Sequence, residues 1–368
     1  MIRSRRIGRR LATALTVTSL GCGLAVAAAG TAEAKVPNAW GFALVLKPGV
    51  PGPVAANHWQ ESRPSPTPTA SPGAVGQVTV KFPRIGFTKG GVVHVTAVVD
   101  ELAWCQAQKW RPLGGSELVT VRCYRKGGIP VWVPFTVMFS QSSGKLPGGL
   151  SYAYVHDTGS ALASSFNSTG MPNTVTALST GVWRVRLPGH GPAKQSGGLQ
   201  VSAANPTKPA ICEIGGLTWT PTQQVAIVRC YSATGKPMKT GWNLSYQRGR
   251  AIMGAKPKLF AYTFNNKPLV AGPYAPAPPG VNFNSHGAVN TVRRSGLGES
   301  LFLFPRVGIY PNTMFVSAAS SVARVCNLNT EWFTMLTPTG GSVTVRDVVC
   351  YRVSGGMTPT RSFVTYTT

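Results

Sequence analysis

The chain has 368 residues and is strongly basic, with 36 Lys and Arg against 10 Asp and Glu and a formal net charge of +26 at pH 7. Its 42 Gly and 30 Pro, together with the absence of a long apolar stretch of 3.6-residue period, exclude a mainly helical protein. Short alternating runs bounded by Gly, Pro, Asn and Ser predict an all-β fold instead.

Residues 1–34 have the features of a secretory signal peptide. A segment with five arginines precedes apolar residues 11–30, and Ala32-Glu33-Ala34 supplies an A-x-A cleavage site. Cleavage would remove those five arginines, Glu33 and Cys22, which lowers the formal net charge to +22. We therefore expect a secreted or cell-envelope-associated protein without a membrane span after signal removal.

Three stretches of about 110 residues then share one order of features. Each opens on an aromatic strand, at residues 40–44, 152–155 and 260–264. A variable stretch follows, which is Pro-rich at residues 63–73 and Asn-rich in the second and third copies. We expect the Pro-rich tract to be an extended loop, because proline cannot donate to a strand ladder.

The remaining features of each copy are strands. An apolar strand ends at Pro83, Pro188 or Pro305, and a return strand follows at residues 92–97, 199–203 or 315–318. A hairpin bounded by two cysteines comes next, and the copy closes on a strand at residues 135–139, 242–246 or 363–366.

Six cysteines remain after signal removal, an even number that favours disulfides in an exported protein. Since each copy holds two, we predict the pairs Cys105–Cys123, Cys212–Cys230 and Cys326–Cys350. Each hairpin also holds a tryptophan (Trp110, Trp219 and Trp332), for which packing is favoured over a sugar-stacking role. The tyrosine after each second cysteine (Tyr124, Tyr231 and Tyr351) is expected to be partly exposed.

The predicted architecture comprises a signal peptide at residues 1–34 and repeat units at 35–145, 146–255 and 256–368, with roughly six strands per unit. Ring-like, propeller-type closure is favoured over tandem β-sandwiches, and another pseudo-threefold assembly is the third option. Each closing strand runs within about a dozen residues into the next opening strand, so the two can form a hairpin. Pairing of the first and last strands would then remove two exposed edges.

Catalytic and metal-binding signatures do not emerge from the sequence. The nine acids outside the signal peptide do not recur at one place in all three units, and the five histidines occupy different positions. His156-Asp157 lacks a nucleophile motif such as G-x-S-x-G, and no C-x-x-C pair or Gly-rich phosphate loop is found. We assign no catalytic residue, metal site or cofactor.

Basic residues give the main functional indication, because a highly cationic protein attracts polyanions by counterion release and long-range attraction. The alternative is that they only maintain solubility and protect strand edges. The candidate polyanion-binding residues are Arg122, Arg125, Lys126, Arg184, Arg186, Arg229, Arg248, Arg250, Arg293 and Arg294.

The ordered motifs resemble a group of secreted, repeat-containing actinobacterial proteins of unknown function. They are N-S-x-G and N-T-V (residues 167–175 and 284–292), an apolar strand ending in Pro and Gly, V-S/T-A, V-R-C-Y, and a final F/W-x-x-x-F/Y. The resemblance covers nearly all of the chain after the signal peptide, but it brings no active site.

We expect an extracellular or envelope binding or structural module whose partner is an anionic cell-wall polymer or polysaccharide. The alternatives are a secreted hydrolase with an unrecognised active site and a protein-interaction scaffold. Sequence-specific nucleic-acid recognition is not expected. Function is expected where the units differ: the Pro-rich tract, the Asn-rich loops and the enlarged hairpin of the third unit.

Overall fold

The computed structural model of the protein describes residues 39–54, 56–60, 66–142, 150–191, 196–254, 259–336, 338 and 340–368, all within one compact unit. The expected signal peptide lies outside these ranges. The all-β class is confirmed: the described residues form strands, turns and short 3-10 segments such as Lys126–Gly128 and Pro279–Val281, without an α-helix. None of their helical segments has the length and apolar character needed to cross a membrane.

Twenty-seven strands occur in the described residues, more than the eighteen expected, because several are only two to four residues long. The first ten are β1 (Ala39–Val45), β2 (Gly52–Pro53), β3 (Ala56–Gln60), β4 (Thr69–Pro72), β5 (Gln77–Phe82), β6 (Val92–Ala97), β7 (Ala103–Leu113), β8 (Ser116–Arg125), β9 (Ile129–Pro130) and β10 (Phe135–Gln141). The next eight are β11 (Ser151–Asp157), β12 (Leu162–Asn167), β13 (Thr174–Ser179), β14 (Val182–Pro188), β15 (Gly198–Ala204), β16 (Ala210–Thr220), β17 (Gln223–Ser232) and β18 (Gly241–Arg248). The last nine are β19 (Phe260–Asn265), β20 (Asn282–Asn284), β21 (Thr291–Gly296), β22 (Glu299–Phe304), β23 (Thr313–Ala319), β24 (Arg324–Leu328), β25 (Phe333–Met335), β26 (Ser342–Arg352) and β27 (Arg361–Thr367).

The strands form four sheets, none of which closes on itself. Their orders are β3-β1-β10-β6, β12-β11-β18-β15-β7-β8-β5-β4-β2, β13-β14-β17-β16-β23-β27-β19-β20 and β21-β22-β26-β24. In each long sheet two antiparallel blocks meet at one parallel bridge, Ala204↔Ala107 or Ile214↔Ala319. A third parallel bridge, Val98↔Leu328, connects the two short sheets.

The pairing of the first and last strands expected from the sequence is wrong. Strand β1 lies between β10 and β3, and β27 lies between β19 and β23. The closing strand β10 likewise pairs with β1 and β6, so no free side remains for a hairpin with β11. Propeller-type closure through these strands therefore does not form, because each strand already has a neighbour on both sides.

The Pro-rich tract is also more ordered than expected. Thr69–Pro72 forms β4, which pairs with β5 and, on its other side, with β2. Proline is tolerated there because β4 is short and lies near the edge of its sheet. Residues 63–65 of the tract lie outside the described residues.

Alternating side chains build the core between facing sheets. Along β14, Trp183, Val185 and Leu187 are buried, whereas the intervening arginines are half-exposed. Trp183 meets Trp242 of β18 with ring centroids 5.9 Å apart, which places these two strands on opposite sides of one core. Strand periodicity thus decides which residues of β14 remain available to a ligand.

Three disulfides, Cys105–Cys123, Cys212–Cys230 and Cys326–Cys350, are present and are the pairs expected from the sequence. Each joins directly opposite residues of neighbouring antiparallel strands: β7 and β8, β16 and β17, and β24 and β26. The cysteine hairpins are therefore covalently fixed.

Candidate functional site

Three arginines share the outer face of the sheet block β13-β14-β17-β16. Arg184 and Arg186 alternate with the buried residues of β14 and so point away from the core. Arg229 of β17 lies directly opposite Val182, which has the same orientation as the two arginines. All three are half-exposed, but Arg229 also interacts with Glu213 and Tyr231, and its Nε is buried. We call Arg184, Arg186 and Arg229 the arginine face.

The surroundings of the arginine face are polar and open. Thr174 and Thr176 of β13 lie opposite Arg186 and Arg184, and both threonines are exposed. These hydroxyls and guanidinium groups are hydrogen-bond donors of the kind that recognises phosphate and carboxylate oxygens. The arrangement offers positive charge and hydrogen-bond donors to an anion.

One buried carboxyl lies beside this face. Glu213 is opposite Arg229 in the strand register, and it is fully buried. Burial raises the pKa of Glu213 well above its usual value, and the Arg324 N–H, which donates to its Oε2 at 3.1 Å, offsets this only in part. The charges of Arg324 and Arg229 also lower the pKa of Glu213, so Arg229 is the member of the arginine face that lies beside a carboxyl.

The other predicted basic residues are dispersed. Arg125, Lys126, Arg293 and Arg294 are exposed on other strands or turns. Arg122 is half-buried, with its Cζ 5.7 Å from the centroid of the Tyr124 ring. The predicted set therefore does not form one continuous surface.

Two of the predicted arginines are engaged within the fold. Arg248 Nη2 donates to Ser151 Oγ at 2.9 Å. Arg250 is only 6% exposed, and its Nε donates to the Gly254 carbonyl at 2.6 Å. The Arg250 guanidinium, one of the predicted polyanion-binding groups, therefore bonds within its local turn and is largely shielded from solvent.

A cavity of about 50 Å³ lies where β6, β15 and β23 meet the cysteine hairpins. Three hydroxyls line it: Thr96, Ser202 and Ser317. Each binds the backbone of a neighbouring strand, Thr96 to Val316, Ser317 to Val201 and Ser202 to Val95, at 2.8 to 3.4 Å. The hydroxyls are thus satisfied by the protein itself.

This cavity is a packing feature between strands and not a substrate-binding pocket. Among the described residues that line it there is no carboxyl and no imidazole, and its volume suits a solvent molecule better than a substrate. Catalysis by general acid–base groups is therefore not expected there.

The buried histidines are packing residues. His94 Nδ1 and Nε2 lie 3.1 and 2.8 Å from the hydroxyls of Ser202 and Ser245, and burial lowers the pKa of His94 to about 3. Burial, with the nearby charge of Arg248, also lowers the pKa of His190 to about 4. Both rings are neutral at physiological pH.

The His156-Asp157 pair does not form part of a catalytic triad. The His156 ring packs against Trp110 at a centroid distance of 4.5 Å, and its Nδ1 lies 3.3 Å from the Trp242 carbonyl. Asp157 Oδ1 accepts the Gly159 N–H at 2.7 Å, so the carboxylate stabilises its own turn.

Carboxyl groups from separated segments meet near Tyr351. The Tyr351 hydroxyl donates to Asp100 Oδ1 at 3.2 Å, and the Ser295 hydroxyl donates to Asp347 Oδ1. Partial burial and the charges of Asp347 and Asp100 raise the pKa of Glu299. No set of three or more metal-ligating side chains within the described ranges is arranged to hold a metal ion. Sequence spacing gave no signal for this cluster, because its members come from different strands.

The aromatic residues of the cysteine hairpins differ from one another. Trp332 is buried and Trp110 is half-buried, but Trp219 is 42% exposed, so the packing expectation is wrong for Trp219. The three tyrosines that follow the second cysteines are all buried, in contrast to the sequence expectation. Tyr231, for example, donates its hydroxyl to the Ser321 carbonyl at 3.0 Å.

The Asn-rich stretches stabilise the fold through buried side-chain hydrogen bonds. Asn167 Nδ2 donates to Asn173 Oδ1 at 2.9 Å and to the Pro188 carbonyl at 3.0 Å. Asn284 makes the matching bonds to Asn290 and Pro305 at 2.9 and 2.8 Å. Because these amides are buried and bonded within the protein, they are not available as ligand-binding groups.

Comparison with known proteins gives no relative for this chain. No protein-family model, curated protein or solved structure matches it significantly.

Proposed function

We propose that the protein is an exported binding module that engages anionic cell-wall polymers or acidic polysaccharides through the arginine face. The observation that carries this proposal is the placement of Arg184, Arg186 and Arg229 on one outer sheet face, where all three are half-exposed. The formal net charge of the chain adds long-range attraction for the same class of partner. Guanidinium groups favour phosphate and carboxylate oxygens because they donate in a planar fork.

Export is part of the same proposal. The signal-peptide features of residues 1–34 and the three disulfides are compatible with an oxidising compartment outside the cytoplasm. A location outside the membrane also brings the arginine face to the polymers of the envelope.

The architecture that we propose is a head-to-tail assembly of three copies of one unit, residues 35–145, 146–255 and 256–368. In support, the bridge Ala204↔Ala107 joins the second unit to the first, and Ile214↔Ala319 joins the second to the third. The bridge Val98↔Leu328 joins the first unit to the third. In the proposed assembly, the units therefore contact one another through parallel bridges and not through a shared hairpin.

The direct test is binding of the purified, disulfide-bonded protein to isolated cell wall over a series of salt concentrations. We expect retention at low salt that is lost as salt rises, and lost at all salt concentrations when the anionic polymers are first extracted. The variant Arg184→Gln/Arg186→Gln/Arg229→Gln should bind weakly, whereas the charge-matched control Arg125→Gln/Arg293→Gln/Arg294→Gln should bind nearly as well as the wild type. Equal retention on extracted wall would contradict the proposal.

A second candidate function is hydrolysis at the carboxyl cluster around Glu299. It is favoured by the grouping of Glu299 with Asp347 and Asp100, which together with partial burial raise its pKa, since glycoside hydrolysis uses a pair of carboxyl groups. Release of reducing ends from cell-wall glycans should then disappear in Glu299→Gln. Turnover that is absent in the wild type, or unchanged in the variant, would rule this candidate out.

A further inference from the structure

The outer edge of β13 has no partner among the described residues, although the strands in the matching position of two other sheets do have partners. Strands β4, β13 and β21 each pair on one side with an apolar strand, β5, β14 or β22. On the other side, β4 pairs with β2 through Gly52↔Ala70 and Pro53↔Thr69. No described segment pairs with the corresponding side of β13, which is the terminal strand of its sheet.

The corresponding edge of β21, unlike that of β13, is paired with a loop of the chain. Tyr274 and Val292 exchange two backbone hydrogen bonds of 2.9 Å, and the Arg294 N–H donates to the Ala271 carbonyl at 3.0 Å. A loop of the chain therefore occupies the place that no described segment occupies beside β13. In β13 only Val175 is half-buried, and the other five residues are exposed.

The sequence of β13 also lacks the usual protection of an edge strand. Native edges carry charged residues or proline that prevent another strand from pairing with them. Strand β21 contains Arg293 and Arg294, and β4 contains Pro72, but Thr174–Ser179 contains neither a charge nor a proline. Exposed Leu178 adds an apolar side chain on the strand itself.

We propose that β13 is a docking site for an extended acidic segment of a partner protein, which adds to the sheet as a further antiparallel or parallel strand. The backbone groups of β13 supply the hydrogen bonds, as in other cases of strand addition. The acidic character follows from charge complementarity, because Arg184 and Arg186 lie on the neighbouring strand opposite Thr176 and Thr174. A second copy of this strongly cationic chain would instead bring like charges together.

This inference goes beyond polymer binding, since it depends on backbone pairing and on a protein partner. The probe is a synthetic peptide of alternating Val and Asp, compared with two versions N-methylated on either set of alternate residues. N-methylation removes backbone donors but leaves the charge unchanged. We expect the unmodified peptide to bind the full disulfide-bonded chain and one N-methylated version to bind about tenfold more weakly or worse.

Hydrogen exchange locates the bound peptide. We expect slower exchange at residues 174–179 in the presence of the unmodified peptide and no change at the covered strand, residues 291–296. The variant Arg184→Gln/Arg186→Gln should lose the preference for the Asp peptide over a Val-Ser peptide but keep the sensitivity to N-methylation. That result would hold even if cell-wall polymers did not bind.

Three outcomes would overturn the inference. The first is the absence of saturable peptide binding, and the second is equal binding of all three peptides, which would indicate charge attraction alone. The third is protection of residues 174–179 without peptide, together with a dimer by light scattering, which would show that a second copy of the chain occupies the edge.

Discussion

Val98 and Leu328 form a parallel bridge that brings an early and a late part of the chain together, and the Val99 N–H donates to the Leu328 carbonyl at 2.7 Å. Bonds of the same kind run from Asn205 to Ala107 at 3.0 Å and from Ser320 to Ile214 at 2.9 Å. These contacts surround the buried strands β6, β15 and β23. We therefore expect side chains between these strands to contribute strongly to stability.

Replacement of Ser317 by alanine should destabilise the protein. The Ser317 hydroxyl bonds to the N–H and carbonyl of Val201 and to Gln200 Oε1, so its removal leaves buried polar groups unpaired. We expect a loss of about 1–3 kcal/mol in the free energy of unfolding, measured by urea denaturation. The exposed Ser179→Ala is the matched control and should change stability by less than about 0.5 kcal/mol. Equal effects of the two substitutions would contradict the structural role of Ser317.

Glu117→Gln should stabilise the protein at alkaline pH. Glu117 is buried, neither carboxyl oxygen has a hydrogen-bond partner, and burial raises its pKa to about 8. The unfolded state releases the proton at lower pH, so the wild type loses stability as pH rises from the usual Glu pKa to about 8. The variant should lack this loss, which we put at about 2–4 kcal/mol. Urea midpoints of both proteins across this range give the measurement, and parallel curves would refute the prediction.

His94→Gln should weaken the dependence of stability on acid. Burial lowers the pKa of His94 to about 3, whereas the unfolded state takes up a proton near the usual value of 6.5. The wild type therefore loses stability as pH falls from 6.5 towards 3, by about 3 kcal/mol near pH 4.

The glutamine variant should be no more stable than the wild type at neutral pH, because it replaces a ring that binds Ser202 and Ser245. The variant should be more stable than the wild type only at acidic pH. A stability difference that stays constant from neutral to acidic pH would show that His94 is not the titrating group.

Loss of the Cys326–Cys350 disulfide should lower the stability of the protein without changing the pairing of the other two disulfides. The double variant Cys326→Ser/Cys350→Ser should lose about 3 kcal/mol, since a closed loop of this length restricts the unfolded chain. Peptide mapping without reduction should still find Cys105 linked to Cys123 and Cys212 linked to Cys230. Exchanged pairings in the wild type would contradict both the sequence expectation and the structure.

Local sequence patterns correctly predicted features that depend only on neighbouring residues, such as which side chains of a strand face the core. Alternation along β14 separates Trp183 and Val185 from Arg184 and Arg186, and it requires no knowledge of the rest of the chain. The short connection between β10 and β11 led to a wrong prediction, because strand pairing there depends on distant parts of the chain. Proximity along the chain favoured a hairpin, but β1 and β6 occupy both sides of β10.

Long-range contacts explain the remaining differences. The meeting of Asp100 with Tyr351, and of Glu213 with Arg324, depends on how separate hairpins pack, which the spacing of single motifs does not encode. The burial of Arg250 likewise follows from its bond to Gly254 and not from its charge. The sequence therefore identified the basic residues, but only the packed structure shows that Arg184, Arg186 and Arg229 share one sheet face.

The most direct test of the proposed function is the salt dependence of binding to a purified anionic cell-wall polymer. We expect the logarithm of the binding constant to fall linearly with the logarithm of salt concentration. The slope should be clearly shallower for Arg184→Gln/Arg186→Gln/Arg229→Gln than for Arg125→Gln/Arg293→Gln/Arg294→Gln, because both variants lose three charges but only the first removes the arginine face. Slopes that depend only on the number of charges removed would show that net charge, and not this face, binds the polymer.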